Sequence, residues 1–386
     1  MLILKPEDSR TRNISTILRL LMKKDGISRA EVSRLTGLTK TTISDIIKKL
    51  QEEKIVEESD QIATGNIGKS PYPLHICANA LYAIGIHLSR KRVDTLLMDA
   101  RMRIIFKNKG EDYKHLGPES IMKSVFLNMD KLIHSAHRKN IKVGAIGVGI
   151  PGPLDIKNGI VKQPPKFQGW KDVPLKEMIE KKYQIPVWIE NDASVGALAE
   201  KWLGDGKDIR NFIRLIIDEG IGAGVVIEDE LYQGTYDYVG EIGHFLCFNK
   251  GKFYYLEDIA GVDVLIEKFQ EQGLMVNSLQ EIRELLARNQ KGKEVAWEII
   301  NQFASWIGSA IVNAIHMIGP QTVFIGGKMA LLGNTFIQTI RQFVSHYLFG
   351  NQKVDIRFSG ISSDAVTIGA GIYAIMQWLE QKSREM

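Results

Sequence analysis

Past residue 73, short apolar, β-rich runs alternate with longer stretches of helical period, and few folds accommodate that order besides a layered α/β body. The spacing predicts two strands around a turn over residues 82–98, a helix at 119–140, a strand at 143–149, a helix at 175–183, a strand at 187–190 and a helix at 193–202. A second series follows, with strands near 213–217 and 224–227, helices from about Val262 and Glu294, a strand at 322–325, a helix at about 334–347 and a last helix at 366–381. At 386 residues the chain is too long for one core. Two α/β halves with a cleft between them are expected, and ligands of such folds collect where strands end at the cleft.

Loops at three of these places carry chemistry. Ile150-Pro-Gly-Pro-Leu-Asp155 follows a strand directly, and Gly152 between two prolines offers bare backbone at a rigid corner. Ile189-Glu-Asn191-Asp192 ends one strand and opens a helix; its amide and carboxylate suit adjacent hydroxyls, although a plain helix cap uses the same residue types. Glu241-Ile-Gly-His244 sets an acid and an imidazole three apart, after Gly234 and Gly240 and before Glu257. Each is a weak signal alone, since a single His or Glu is more often a solvated or satisfied side chain.

The first fifty residues follow another pattern. Residues 28–50 read as two short helices joined by a tight turn: Ser28 suits an N-cap with Glu31 completing a capping box, Gly37 suits a left-handed end, and Thr39 suits the next cap. Ile43, Ile46, Ile47 and Leu50 recur at helical spacing and leave Lys40, Thr41, Thr42 and Ser44 on or near the open face, as in a helix that enters a DNA groove. Ser28, Arg29, Thr39 and Lys48 are further candidate DNA contacts. A helix over about 13–24 supplies the third member of a core, and Ile55 and Val56 followed by a turn-rich stretch at 60–73 fit a two-stranded wing running into a linker. Lys69 could reach a minor groove or phosphate from that stretch, or be an incidental lysine in a hinge. Residues 1–50 hold eleven Lys/Arg against five acids, a balance of +6 in a chain that is +5 overall, so the basic excess sits at this end.

The expected domains are a winged helix-turn-helix with linker at 1–73, a first α/β lobe at 74–190 and a second at 191–386. No apolar stretch approaches the roughly 20 residues of a membrane span, and the start lacks the order of a signal peptide. Cys77 and Cys247 cannot make a disulfide framework. A cytoplasmic protein with no membrane partner is expected.

In order and spacing these motifs resemble the ROK group of sugar kinases and sugar-responsive repressors, in its xylose-repressor-like branch, over nearly the entire chain. The group's G-x-P-G-x-x-D loop is matched by residues 149–155, its E-N-D by 190–192 and its E-x-G-H by 241–244, with its final Glu at Glu257. The resemblance implies a winged helix-turn-helix followed by a two-lobed, actin-like and ribonuclease-H-like sugar-kinase fold. It also implies a sugar site made by Gly152, Asn191, Asp192, Glu241, His244 and Glu257, where in kinases the Asp activates the hydroxyl to be phosphorylated.

Three loops depart from the group's kinases. The glycine-rich hairpin reads Gly85-Ile86-His87-Leu88-Ser89-Arg90-Lys91; the second phosphate loop reads Asp218-Glu219-Gly220-Ile221-Gly222, with two carboxylates that repel phosphate; and the adenosine-side glycines become Gly326-Gly327-Lys328. ATP is therefore not expected as a cofactor, and no catalytic residue is expected unless Asp192 acts as a kinase base. The group's zinc cluster is also altered to Cys247-Phe-Asn-Lys-Gly-Lys-Phe-Tyr-Tyr255, which predicts no zinc and apolar packing of Phe248, Phe253, Tyr254 and Tyr255 in its place.

The reading is a repressor that binds double-stranded operator DNA as a homodimer or dimer of dimers and answers to a monosaccharide in its cleft. An ATP-dependent sugar kinase with an added DNA-binding arm is the alternative, and a constitutive DNA-binding protein whose body merely dimerises is a third reading.

Overall fold

The computed structural model describes residues 6–59, 72–113, 117–165, 167–287, 292–350, 352–361 and 364–386. Lys69 and most of the expected linker at 60–73 lie outside the described residues.

At the N-terminus three helices, Pro6–Lys23, Arg29–Thr36 and Lys40–Glu52, close over Ile14, Ile17, Leu18, Leu21, Val32, Ile43, Ile46, Ile47 and Leu50, all buried. Local chemistry sets the turn between the second and third. Ser28 Oγ accepts the Glu31 N–H at 3.2 Å, and Gly37 adopts φ 72° and donates to the Ser33 carbonyl at 2.9 Å. Thr39 Oγ1 accepts the Thr42 N–H at 3.2 Å and starts the third helix. Glu31 itself leans to Arg34, 3.6 Å away.

Strand Pro73–Ile76 lies between Val56–Glu58 and Ile27–Ser28, antiparallel to both. The expected two-stranded wing is thus part of a three-stranded sheet, and its closing strand runs to Ile76, past the expected boundary at residue 73. Residue 82 begins the body only a few residues later, after a single turn at Ala78–Ala80.

The body holds two five-stranded sheets built alike. The first runs Val187–Asn191, Ala145–Ile150, Tyr82–Leu88, Val93–Asp99, Ile104–Asn108; the second runs Glu230–Leu231, Ile221–Ile227, Phe212–Ile217, Thr322–Gly326, Asp355–Phe358. In each, a hairpin lies beside parallel strands reached through helices, the arrangement in which helices cover the sheet faces. Helices Lys293–Ile318 and Asn334–Tyr347 pack together in the second lobe's core. Among the described residues no helix is long and apolar enough to cross a membrane.

The C-terminal helix, Ala365–Glu385, departs from the expected division at 190/191. It packs on strands Tyr82–Leu88 and Ala145–Ile150 of the first sheet. Its backbone comes so close there that a Cβ on Gly147 would lie 1.9 Å from the Ala370 carbonyl oxygen, a contact only glycine permits.

The winged helix shares a core with this body. Ile14, Ile17, Leu18 and Leu21 belong to one buried cluster with Ile372, Ile375 and Leu379 of the C-terminal helix. Ion pairs border it, Arg19 with Glu230 and Lys23 with Asp229 (2.9 Å), and Lys49 of the third helix donates to the Met386 carbonyl.

Candidate functional site

All six residues assigned to the sugar site line a single cleft between the lobes, with a cavity of about 90 Å³. Asn191 ends a strand of the first sheet and caps helix Asp192–Leu203, its Oδ1 accepting the N–H of Ala193 (2.9 Å) and Ser194 (3.4 Å). With the oxygen committed to the cap, Nδ2 is left facing Gly152, so one side chain serves both the cap and the cleft. A Cβ on Gly152 would sit 3.3 Å from Asn191 Nδ2 and 3.3 Å from Glu241 Oε1, which places the bare backbone between two polar groups. From the second lobe, His244 Nδ1 lies 3.5 Å from Glu241 Oε2, and its ring meets Tyr255 edge-on at 5.1 Å.

The cleft therefore offers amide N–H, carboxylate oxygens and imidazole around one small volume, a set suited to hydroxyl groups. Burial pushes the Asp192 carboxyl up to about 6, against the Ala193 N–H and the nearby Arg90 guanidinium, which favour its charge. Burial raises Glu241 as well, opposed by His244. Glu190, the first residue of the E-N-D motif, turns away: it is 1% exposed, accepts the Asn191 N–H at 2.7 Å and the Gln233 side-chain amide, and burial carries its carboxyl to about 7. Gln233, absent from the sequence reading, thus steadies the strand end that presents Asn191.

The three altered phosphate loops meet in one cluster. Glu219 binds Lys91 of the first loop at 2.9 Å and Lys328 of the third, and Asp218 accepts the Lys328 backbone N–H. Burial raises the Glu219 carboxyl, but hydrogen bonds from Lys328 and Lys91 outweigh it and hold the group at about 2. In the hairpin turn, Ser89 Oγ accepts the N–H groups of Lys91 and Arg92, both at 3.2 Å, so those amides are committed rather than open to an anion. Behind the ion pairs a cavity of about 390 Å³ remains, lined by His87, Arg214, Gly326, Gly327 and Ser359 among others.

On the winged helix, Lys40, Thr41, Ser44 and Lys48 are exposed along one side of the third helix and Thr42 is half-buried. Thr39 and Ser28 spend their hydroxyls on caps, and Arg29 is tied inward by Glu58 (2.7 Å) and Gln51 (3.2 Å).

A sequence model of the ROK family matches residues 83–377, and one described as winged helix-turn-helix DNA-binding matches residues 10–57. The chain belongs to the ROK family. It is similar to the xylose repressor of Bacillus spizizenii, 30% identical over 95% of this chain and 96% of that one, and to the xylose repressor of Caldicellulosiruptor bescii, 27% identical over 92% of each. A solved ROK family transcriptional regulator, described as a homologue of the E. coli MLC protein, has the same fold, with a TM-score of 0.84 at 21% identity over 98% of this chain and all of that one.

As a ROK protein it departs from the zinc-bearing pattern. The hairpin Leu246–Asn249/Lys252–Tyr255 carries Cys247 with no second thiol, and among the described residues no group of three or more His, Cys, Asp or Glu side chains is placed to hold a metal. One imidazole and one thiol do not fit a four-ligand structural zinc. The aromatics expected to pack in the metal's place do not: Phe248 is 66% and Phe253 68% exposed, touching each other with ring centroids 5.2 Å apart and planes tilted by 56°, and Tyr254 and Tyr255 are exposed too. A two-stranded hairpin turns alternate residues to opposite faces, and here Phe245 and Cys247 are the ones that reach the core.

Proposed function

We propose that this ROK protein is a sugar-responsive transcriptional repressor, binding operator DNA through Lys40, Thr41, Thr42, Ser44 and Lys48 and a monosaccharide through Gly152, Asn191, Asp192, Glu241, His244 and Glu257. The observation that carries the reading is the pairing of a converged polar cleft with phosphate loops bridged by Lys91–Glu219–Lys328, on a body fused to a winged helix. Relatives named xylose repressors make D-xylose the first sugar to try. Two copies, each presenting one recognition helix, would read half-sites about one helical turn or a multiple apart. The test is operator affinity with and without sugar, alongside sugar-dependent ADP release; turnover of about one per second would favour the kinase reading.

A route from cleft to DNA runs along helix Asp192–Leu203. Asn191 and Asp192 start it in the cleft, and near its other end Lys201 grips Asp229, which in turn holds Lys23 of the first helix. A sugar that draws the lobes together shifts this helix, and with it the winged helix, so that the sugar and the operator compete for different placements of the same parts.

Sugar affinity should depend on pH through Asp192. With its carboxyl raised to about 6, the group is mostly ionised at pH 7 and mostly protonated at pH 5, where it no longer accepts from hydroxyls on both oxygens. Affinity is expected to fall about tenfold between pH 7 and pH 5. Glu241, shifted the same way, adds to the fall. Calorimetric titration at each pH reads this, and an unchanged affinity across that range would remove Asp192 from the site.

The protein carries no structural zinc in this reading. Elemental analysis of protein purified without chelators is expected to find far less than one zinc per chain; a stoichiometric amount would contradict it.

A further inference from the structure

The turn between Tyr82–Leu88 and Val93–Asp99 carries three cations in a row, and two have evident partners. Lys91 meets Glu219, and Arg92 meets Asp94 at 3.0 Å. Arg90 points into the sugar cleft instead. A Cβ on Gly220 would lie 2.9 Å from its Nη1, and its charge favours ionisation of Asp192, so the guanidinium stands over the second phosphate loop beside that carboxylate. Its Nε and Nη1 are both shut off from solvent, and neither has a hydrogen-bond partner.

Buried donors left unpaired are costly, more so on a charged group, and such atoms are rare unless something else satisfies them. The Arg90 side chain borders the cavity that Asp192, Asn191 and Glu241 also line. An acceptor-only carboxylate and a donor-only guanidinium bordering one small volume call for a group that donates and accepts at once. A hydroxyl does so, with its proton toward Asp192 and a lone pair toward Arg90; a bare hydrogen does neither, and a fluorine does not donate.

We infer that Arg90 is an effector-contacting, specificity-determining residue that acts with Asp192 to require one particular hydroxyl of the bound sugar. This rests on the reading of the cleft as a monosaccharide site. It also gives the departure at Arg90 a use: the side chain occupies ground above Gly220 and turns it into a donor for the sugar.

The test pairs variants of the protein with variants of the ligand. Dissociation constants are measured by calorimetry for wild type, Arg90→Met and Arg90→Gln with D-xylose, or the best-binding monosaccharide of a panel, and with each of its monodeoxy and monofluoro derivatives. In wild type one deoxy derivative is expected to bind at least about thirtyfold more weakly than the parent sugar, with the fluoro derivative at the same position also weakened. Arg90→Met should weaken the parent sugar by a similar factor and shrink the penalty at that same position to a few-fold, while penalties at other positions persist. Thermal melting checks that each variant is folded, and Arg90→Gln, which keeps a donor without the charge, serves if the Met variant is not. Unchanged affinity for the parent, or an unchanged penalty at that position in the variants, would overturn the role of Arg90 alone. If no monosaccharide binds wild type, both this inference and the assignment of the cleft fall.

Discussion

Asn191→Asp is expected to abolish the sugar response while the protein stays folded. The exchange keeps an oxygen to accept from the N–H groups of Ala193 and Ser194, so the cap on helix Asp192–Leu203 survives. What it removes is the Nδ2 donor facing Gly152, and it adds a carboxylate to a cleft that already holds Asp192 and Glu241. Burial has already pushed both of those carboxyls up, so a further acid raises them more and leaves sugar oxygens without a donor. The loss of affinity should be about a hundredfold or more, consistent with a site built to hydrogen-bond hydroxyls. Asn191→Ala, by contrast, should lose sugar binding and also about 1 kcal/mol of stability with the cap. Calorimetry with sugar and a denaturant melt on both variants separate the two roles; equal sugar affinity in Asn191→Asp and wild type would show that Asn191 is a cap and nothing more.

Lys201→Met should cost more stability than any change at the cleft. Lys201 is 5% exposed, and its ammonium bonds the carbonyls of Lys207 (3.0 Å) and Ile209 (2.9 Å), that of Gly206 more distantly, and the Asp229 carboxylate. Removing the cation leaves three carbonyls, that of buried Gly206 among them, and one carboxylate oxygen unmatched, for a loss of about 1–3 kcal/mol. Because Asp229 also holds Lys23, the same knot ties the cleft helix to the first helix of the N-terminal domain. Lys23→Gln isolates that second role: the pair is about a third exposed on each side, so its stability cost should stay under about 1 kcal/mol, yet the effect of sugar on operator affinity should shrink. A variant that bound sugar and DNA as wild type does and kept the full linkage between them would place the coupling elsewhere, for instance along the C-terminal helix.

Much of this was legible in the residues. The alternation after residue 73 gave the sheets because their buried strands are continuous apolar runs, as at Ala145–Ile150 and Thr322–Gly326. The caps at Ser28, Gly37 and Thr39 are local chemistry and came out at the expected residues. Strands Ile104–Asn108 and Asp355–Phe358 went unseen, being short and partly charged edge strands, where neighbours rather than propensity decide. The return of the C-terminal helix to the first sheet is a tertiary fact, made possible by glycines such as Gly85 and Gly147, each too close to that helix to bear a Cβ.

In the site, each assigned residue could be found singly, but not how the residues combine. Residues 91, 219 and 328 read as three separate departures, and only in space do they become one ion-pair cluster across the cleft. Asn191 read as either a cap or a ligand group, when its oxygen makes the cap and its Nδ2 faces Gly152 in the cleft. The aromatic hairpin misled because a run of Phe and Tyr suggests packing, while the alternation of a free hairpin leaves Phe248 and Phe253 in solvent.

The measurement that bears most directly on the account is the anisotropy of a labelled duplex, chosen by the protein itself from random sequences, titrated with protein in the absence and presence of saturating D-xylose or the best-binding sugar of the panel. Sequence-specific binding is expected without sugar, with a fall in affinity of about tenfold or more in its presence that is lost in Asn191→Asp. Operator affinity indifferent to every sugar that binds the cleft would contradict it.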